Sequence, residues 1–118
     1  MNTAQMAEYA IGRKCLDVGC GRDKIPGSTG IDIAVASAAD VRHDLGVFPY
    51  PLESGAYDAI FCRNVMIYFD KPMQRALVER YAQLLKPGGL FFAGHAESLL
   101  DQGRHFRLRG QTVYELAR

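Results

Sequence analysis

Leu16-Asp17-Val18-Gly19-Cys20-Gly21 decides the reading of this chain. Lys14-Cys15-Leu16-Asp17-Val18 has the apolar run of a buried strand, and Gly19-Cys20-Gly21 stops it with a turn. Thr29-Gly30-Ile31-Asp32-Ile33 is a second strand that closes on an acid. Glycines after a first strand let the backbone turn tightly and come into contact with a ligand. A carboxylate at the end of the second strand suits two neighbouring ribose hydroxyls, each donating to one oxygen. A dinucleotide site would need a third glycine three residues on, opening a helix beneath a pyrophosphate. Lys24 stands at that place and Pro26 follows, so a dinucleotide is not expected.

Outward from this core, residues 3–11 carry Ala4, Met6, Ala7 and Ala10 among polar neighbours and suit a short helix. Residues 40–45 form a short third strand, followed by a proline loop, Phe48-Pro49-Tyr50-Pro51. Tyr57-Asp58-Ala59-Ile60-Phe61-Cys62 is a fourth strand, apolar enough to be covered on both faces. From Lys71 to Lys86 the chain reads as its longest helix, capped by Asp70, with Met73, Ala76, Leu77, Tyr81, Leu84 and Leu85 on one stripe. Pro87-Gly88-Gly89 ends that helix, and Leu90-Phe91-Phe92-Ala93-Gly94 is a fifth strand. Phe106-Arg107-Leu108 and Thr112-Val113-Tyr114-Glu115-Leu116 flank Arg109-Gly110-Gln111 as a closing hairpin. The pattern predicts an α/β fold: a minimal Rossmann-like sheet, mainly parallel, with a C-terminal antiparallel hairpin. Crossovers 19–28 and 34–40 leave little room for helices, which take at least ~10–12 residues per crossover. One sheet face is therefore expected to want cover, and a homodimer is expected to supply it.

The 118 residues are 48% hydrophobic and 23% charged, with a formal net charge of +1. One domain over 1–118 is expected. The charge balance gives no bulk attraction to nucleic acid or to an anionic membrane, and neither is expected as a partner. No run approaches the ~18–20 apolar residues of a membrane helix. Cys15, Cys20 and Cys62 lack the spacing of a disulfide framework or a second pair for zinc, so no metal is expected. Free thiols and the lack of an export signal favour the cytoplasm.

Residues 14–58, with the pattern GCGxxKxPGxxGID, resemble small class I S-adenosylmethionine-dependent methyltransferases. That resemblance implies S-adenosyl-L-methionine as cofactor and S-adenosyl-L-homocysteine as product. It places Asp17, Gly19 and Gly21 around the methionine moiety, Asp32 on the ribose, and Asp44 and Leu45 near the adenine, with Cys20 and Ile33 also binding the cofactor. From Tyr57 onward, YDAIFCRNVMIYFDKPMQRALVERYAQLLKPGGLFFAGHAESL and FRLRGQTVYEL resemble the C-terminal half of the CheR-type chemotaxis-receptor glutamate methyltransferases. The likeness implies that Cys62 and Arg63 contact the cofactor, and that Arg63 and Tyr68 line the methyl-transfer site. That family also carries an N-terminal helical domain and a small β insertion, for which this chain is not expected to have room.

A carboxylate acceptor is already ionised at neutral pH and needs no general base. Arg63 offers a planar donor fork to such a group, and Tyr68 offers one hydroxyl donor. The pairing favours carboxylate O-methylation, on a protein or a small molecule. The alternative for Arg63 is an ion pair with Asp58 or Asp70, and for Tyr68 a core position with its hydroxyl at the surface. His43 reads as a solvated strand-end residue or a neighbour of the cofactor, and His95 as a residue on the ligand side of the sheet. A module that binds the cofactor without turnover, or a minimal or chimeric scaffold without a substrate, stands as the alternative function.

Overall fold

The computed structural model describes residues 2–34, 37–63, 65–93, 105–110 and 113–116. At its centre Cys15–Val18 (β1) and Tyr57–Cys62 (β4) run parallel, with Val18 opposite Cys62. Thr29–Asp32 (β2) and Val41–Arg42 (β3) extend the sheet from β1. Leu85–Ala93 (β5), Phe106–Gly110 (β6) and Val113–Leu116 (β7) extend it from β4. The seven strands lie in the order β3-β2-β1-β4-β5-β7-β6, with β7 antiparallel to β5 and β6. The expected mainly parallel sheet with a terminal hairpin is the one observed, and the short third strand is its edge.

Alternation along the strands makes two cores. Leu16, Val18, Ile60, Cys62 and Phe91 pack with Leu77, Val78, Tyr81 and Leu84 of the helix Lys71–Leu84 (α2). On the opposite face Cys15, Ala59, Phe61 and Phe92 meet Met6 and Ala10 of the helix Thr3–Ala10 (α1). Side chains of this size contribute about 1.5–3 kcal/mol each when fully buried. The face expected to lack cover is closed over β1, β4 and β5 by α1 and by Ile25, which is fully buried. Ile25 comes from the crossover between β1 and β2, so a loop side chain stands where a helix would otherwise pack.

That crossover holds its shape without a helix. The Asp17 carboxylate accepts the Ile25 N–H at 2.9 Å, and the Ser28 hydroxyl donates to the Ile25 carbonyl at 2.6 Å. Lys24 Nζ lies 2.9 Å from Asp40 Oδ2, which also accepts the Gly30 N–H at 2.8 Å. A Cβ on Gly30 would come within 2.8 Å of both Cys20 Sγ and Lys24 Cδ, so only glycine lets the lysine stem lie across β2. The bonds to Gly30 and Lys24 hold the Asp40 carboxyl below its ordinary value. Among the described residues, no helix is long and apolar enough to cross a membrane, and no acid, His and Cys cluster could hold a metal ion.

Asp70 caps α2 as its position suggests, accepting the Met73 N–H at 3.0 Å. The far end differs from expectation. The helix stops at Leu84, and Leu85 is already extended and paired with Tyr57 in β5. Pro87 disfavours helical backbone at Lys86, and the N–H groups of Gly55 and Ala56 take the carbonyls of Gln83 and Leu84. Pro87-Gly88-Gly89 therefore lies inside β5, at an irregularity in its pairing with β4, instead of between helix and strand.

Candidate functional site

The carboxyl ends of β1, β2, β4 and β5 come together along one edge of the sheet. The chain turns to opposite sides after β1 and β4, and open α/β sheets bind ligands in the crevice at such a point. A cleft of about 340 Å³ lies there, lined by Gly19, Cys20, Gly21, Arg63 and Tyr68 among others. Gly19 and Gly21 both have left-handed backbones, with φ of +64° and +58°. No protein atom lies within 4 Å of where a Gly21 side chain would begin, so this glycine keeps open space on the cleft. A larger hollow of about 500 Å³ lies between Tyr9, Leu90, Arg109 and Glu115. Its charges are already paired, with Arg109 Nη1 2.6 Å from Glu115 Oε1, and it is away from the carboxyl edge.

Beneath the cleft, Asp17 is fully buried. Its Oδ2 accepts both the Ile25 N–H and, at 3.1 Å, Arg63 Nη2. Its Oδ1 is buried without a partner, as is Arg63 Nε. Burial raises the Asp17 carboxyl above its ordinary value, against the opposing pull of the Ile25 N–H and the Arg63 charge. Arg63 Nη2 donates in addition to the Asp23 carbonyl at 3.0 Å. Arg63 therefore ties β4 to β1 and to the loop after it, with 27% of its side chain still exposed. The alternative partners are otherwise engaged. Asp58 accepts the Lys14 N–H and pairs with Lys86, while Asp70 caps α2.

The other expected residues divide into those at the edge and those behind it. Asp32 ends β2 and accepts the N–H groups of Gly21 and Ala34, at 2.9 and 3.1 Å. Ile33 is exposed beside it. Tyr68, in the 3-10 turn Met66–Tyr68, is 78% exposed on the cleft rim, not a core aromatic. Asp44 closes a turn by accepting the Gly46 N–H, and the Leu45 side chain borders Gly19. Cys62 is brought to the end of β4, but its thiol is buried toward α2, 3.8 Å from Tyr81 Oη. Burial raises the Cys20 thiol. The His43 ring contacts the Val47 carbonyl at 2.8 Å, and His95 lies outside the described residues. Sequence reasoning missed the Asp23 carbonyl and the Ile25 N–H, because backbone partners leave no trace in residue type. It also missed the Lys24 and Asp40 clasp, for which opposite charges flanking the Gly30 strand were the available signal.

A parallel sheet in this order, a glycine turn at the switch point and an acid ending the next strand together define a class I methyltransferase cofactor domain. The chain belongs to the family described as CheR methyltransferase, SAM binding domain, which matches residues 42–115. The likeness to this family thus begins upstream of Tyr57. A chemotaxis protein methyltransferase of Klebsiella aerogenes is 62% identical over 64 residues, which are 54% of this chain and 22% of the relative. Chemotaxis protein methyltransferase 1 of Pseudomonas aeruginosa is 34% identical over 85 residues, covering 72% of this chain and 31% of the relative. The chain therefore spans under a third of the length of these curated relatives. A structure from Methanococcus maripaludis, assigned to the S-adenosyl-L-methionine-dependent methyltransferases, superposes with a TM-score of 0.63 at 14% identity. It covers 94% of this chain and 81% of its own, and shows the shared fold.

S-adenosylmethionine is the cofactor of this domain family, and the residues present fit it. The open side of Gly21 admits close approach, the unpartnered Asp17 oxygen lies below the cleft, and Asp32 carries acceptors for hydroxyl groups.

Proposed function

We propose that this chain is the cofactor-binding core of a methyltransferase that esterifies a carboxylate, and that the acceptor is a protein side chain. The observation that carries the reading is the cleft itself, where the open side of Gly21 and the exposed Tyr68 face one space. Family membership and the chemotaxis methyltransferases among the relatives support it. When bound, S-adenosylmethionine supplies a methyl group on a positively charged sulfur. Asp32 holds ribose hydroxyls, and Gly19 and Gly21 allow the backbone to approach the ligand. Asp17, kept in place by Arg63 and Ile25, supports the glycine turn from below. The Tyr68 hydroxyl donates to one oxygen of the acceptor carboxylate and leaves the other free to attack. An ionised carboxylate needs no proton removed, so the transfer asks for no general base in the cleft. Alignment of this kind can account for ~7–11 kcal/mol of barrier lowering.

Calorimetric titration with S-adenosylmethionine and S-adenosylhomocysteine tests the first half of the proposal. Binding of both is expected, and Asp32→Ala should weaken it by about 1–3 kcal/mol through loss of a charged acceptor. Absence of heat for either ligand at high micromolar concentration would sink the cofactor reading. For the second half, transfer of labelled methyl to a glutamate-bearing peptide should give a base-labile ester. Tyr68→Phe should slow that transfer at least tenfold with cofactor affinity retained, about the effect of one lost hydrogen bond. An equal rate in the variant would remove Tyr68 from the site.

A further inference from the structure

Behind the edge of the cleft, three buried side chains, Cys62, Tyr81 and Tyr50, form a line. Cys62 Sγ, at the end of β4, lies 3.8 Å from the hydroxyl of Tyr81, which is fully buried on α2. The Tyr81 hydroxyl interacts in turn with that of Tyr50. Tyr50 donates its own proton to the Leu45 carbonyl at 2.6 Å, which leaves its oxygen to face Tyr81 as an acceptor. Burial raises both phenols, which keeps each protonated and able to donate. The Tyr50 ring is held independently of its hydroxyl. It stacks on Phe48 with centroids 5.6 Å apart, meets the His43 ring edge-on, and has its carbonyl bonded by Arg80.

The far end of this line is a turn with two fixed ends. The His43 N–H donates to the Asp32 carbonyl at 3.0 Å, so the turn starts beside the acid that ends β2. The Gly46 N–H donates to Asp44 Oδ1, and the Val47 N–H to the Asp44 carbonyl. Leu45, between them, reaches toward Gly19, with its Cδ1 3.7 Å from where a Gly19 side chain would begin. A nucleoside whose ribose sits on Asp32 and whose base runs along this turn would meet Asp44 and Leu45. The second Asp44 oxygen is left to accept from an exocyclic amino group, and a ring carbonyl at that point would be repelled.

We propose that Tyr50 is a positioning residue for base recognition: its hydroxyl, backed by Tyr81, anchors the Leu45 carbonyl and so sets the Asp44 carboxylate against the adenine. The proposal rests on the cofactor reading above. Tyr50→Phe keeps the ring contacts and removes only the anchor. Its test compares S-adenosylhomocysteine with S-inosylhomocysteine, which has a ring carbonyl in place of the adenine amino group. The unaltered chain should prefer the adenine ligand. Tyr50→Phe should lower affinity for the adenine ligand by roughly fivefold to tenfold, the effect of one hydrogen bond, and leave the inosine ligand nearly unchanged. Tyr81→Phe should shift the same ratio in the same direction by less. Equal weakening of both ligands, or an unchanged ratio with a lower melting temperature, would make Tyr50 merely structural and overturn the proposal. Failure of the unaltered chain to bind either ligand would overturn the cofactor reading, and this assignment with it.

Discussion

Replacing Gly19 by alanine is expected to cost about 3 kcal/mol of folding stability and to abolish cofactor binding. Two effects add at this position. The left-handed backbone, φ +64°, costs a residue with a side chain roughly 1–2 kcal/mol. The new methyl would also collide with Val65 Cγ2. Val65 is buried in the α2 core, so it cannot withdraw without disturbing Met66 and the turn that carries Tyr68. Overpacking of this kind typically costs a further 1–3 kcal/mol. Gly21→Ala is the matched control. It has the same backbone strain, φ +58°, but open space around the new methyl. It should lose only about 1–2 kcal/mol of stability while still weakening the cofactor, because the methyl enters the cleft. Denaturant unfolding of the two variants, with titration of S-adenosylhomocysteine, separates strain from collision. Equal stabilities for the two would show that Val65 does not press on the turn.

The second large effect is expected at Asp17. Asp17→Ala should destabilise the fold by about 3 kcal/mol, since a buried Ile25 N–H loses its acceptor and Arg63 loses its ion pair. Asp17→Asn keeps an acceptor for Ile25 and should cost less than the alanine. The comparison has a pH signature. Burial raises the Asp17 carboxyl, so the folded chain takes up that proton more readily than the unfolded chain. The charge therefore costs stability at neutral pH, and the cost is relieved as pH falls through the folded value toward the ordinary 3.8. Wild type should accordingly gain on Asp17→Asn as pH falls from neutral toward 3.8. Asp40 and Asp58, held low by their partners, stabilise the fold above 3.8 and lose that contribution only below it. Their window lies below 3.8, so above it the change in the difference between wild type and Asp17→Asn reads Asp17. A constant difference between wild type and Asp17→Asn would place the carboxylate in water.

Where pattern and packing agree, the residues announced the outcome. β4 was readable as Tyr57–Cys62 because an apolar run between turn residues has one solution in a doubly covered sheet. Asp70 was readable as a cap because the capping bond spans only three residues. The glycine turn and Asp32 were readable because both belong to short local motifs. Pro87-Gly88-Gly89 misled for the same local reason. Such residues commonly end helices, but here a distant partner, Tyr57, draws Leu85 into the sheet first. Arg63 could not be assigned a partner because Asp17 is 46 residues away and competes with nearer acids. The direction of the Cys62 thiol depends on which face β4 turns toward α2, a property of the assembled sheet. Tyr50 and Tyr81 looked like ordinary aromatics, since a hydroxyl reveals its use only when its acceptor is in place.

The central pairing of β1 with β4 also sets a sequence of events. Cys15 meets Ala59, so the strand carrying the glycine turn must wait for residues far along the chain. Closing a loop of about 40 residues has an entropic cost that only later contacts offset. A chain synthesised as far as Pro51 holds β1, β2 and β3, but neither β4 nor the α2 side chains that bury Leu16 and Val18. The ligand-facing loop is thus made early and shaped late. The contacts that hold its shape exist only once the second half of the molecule has folded against it.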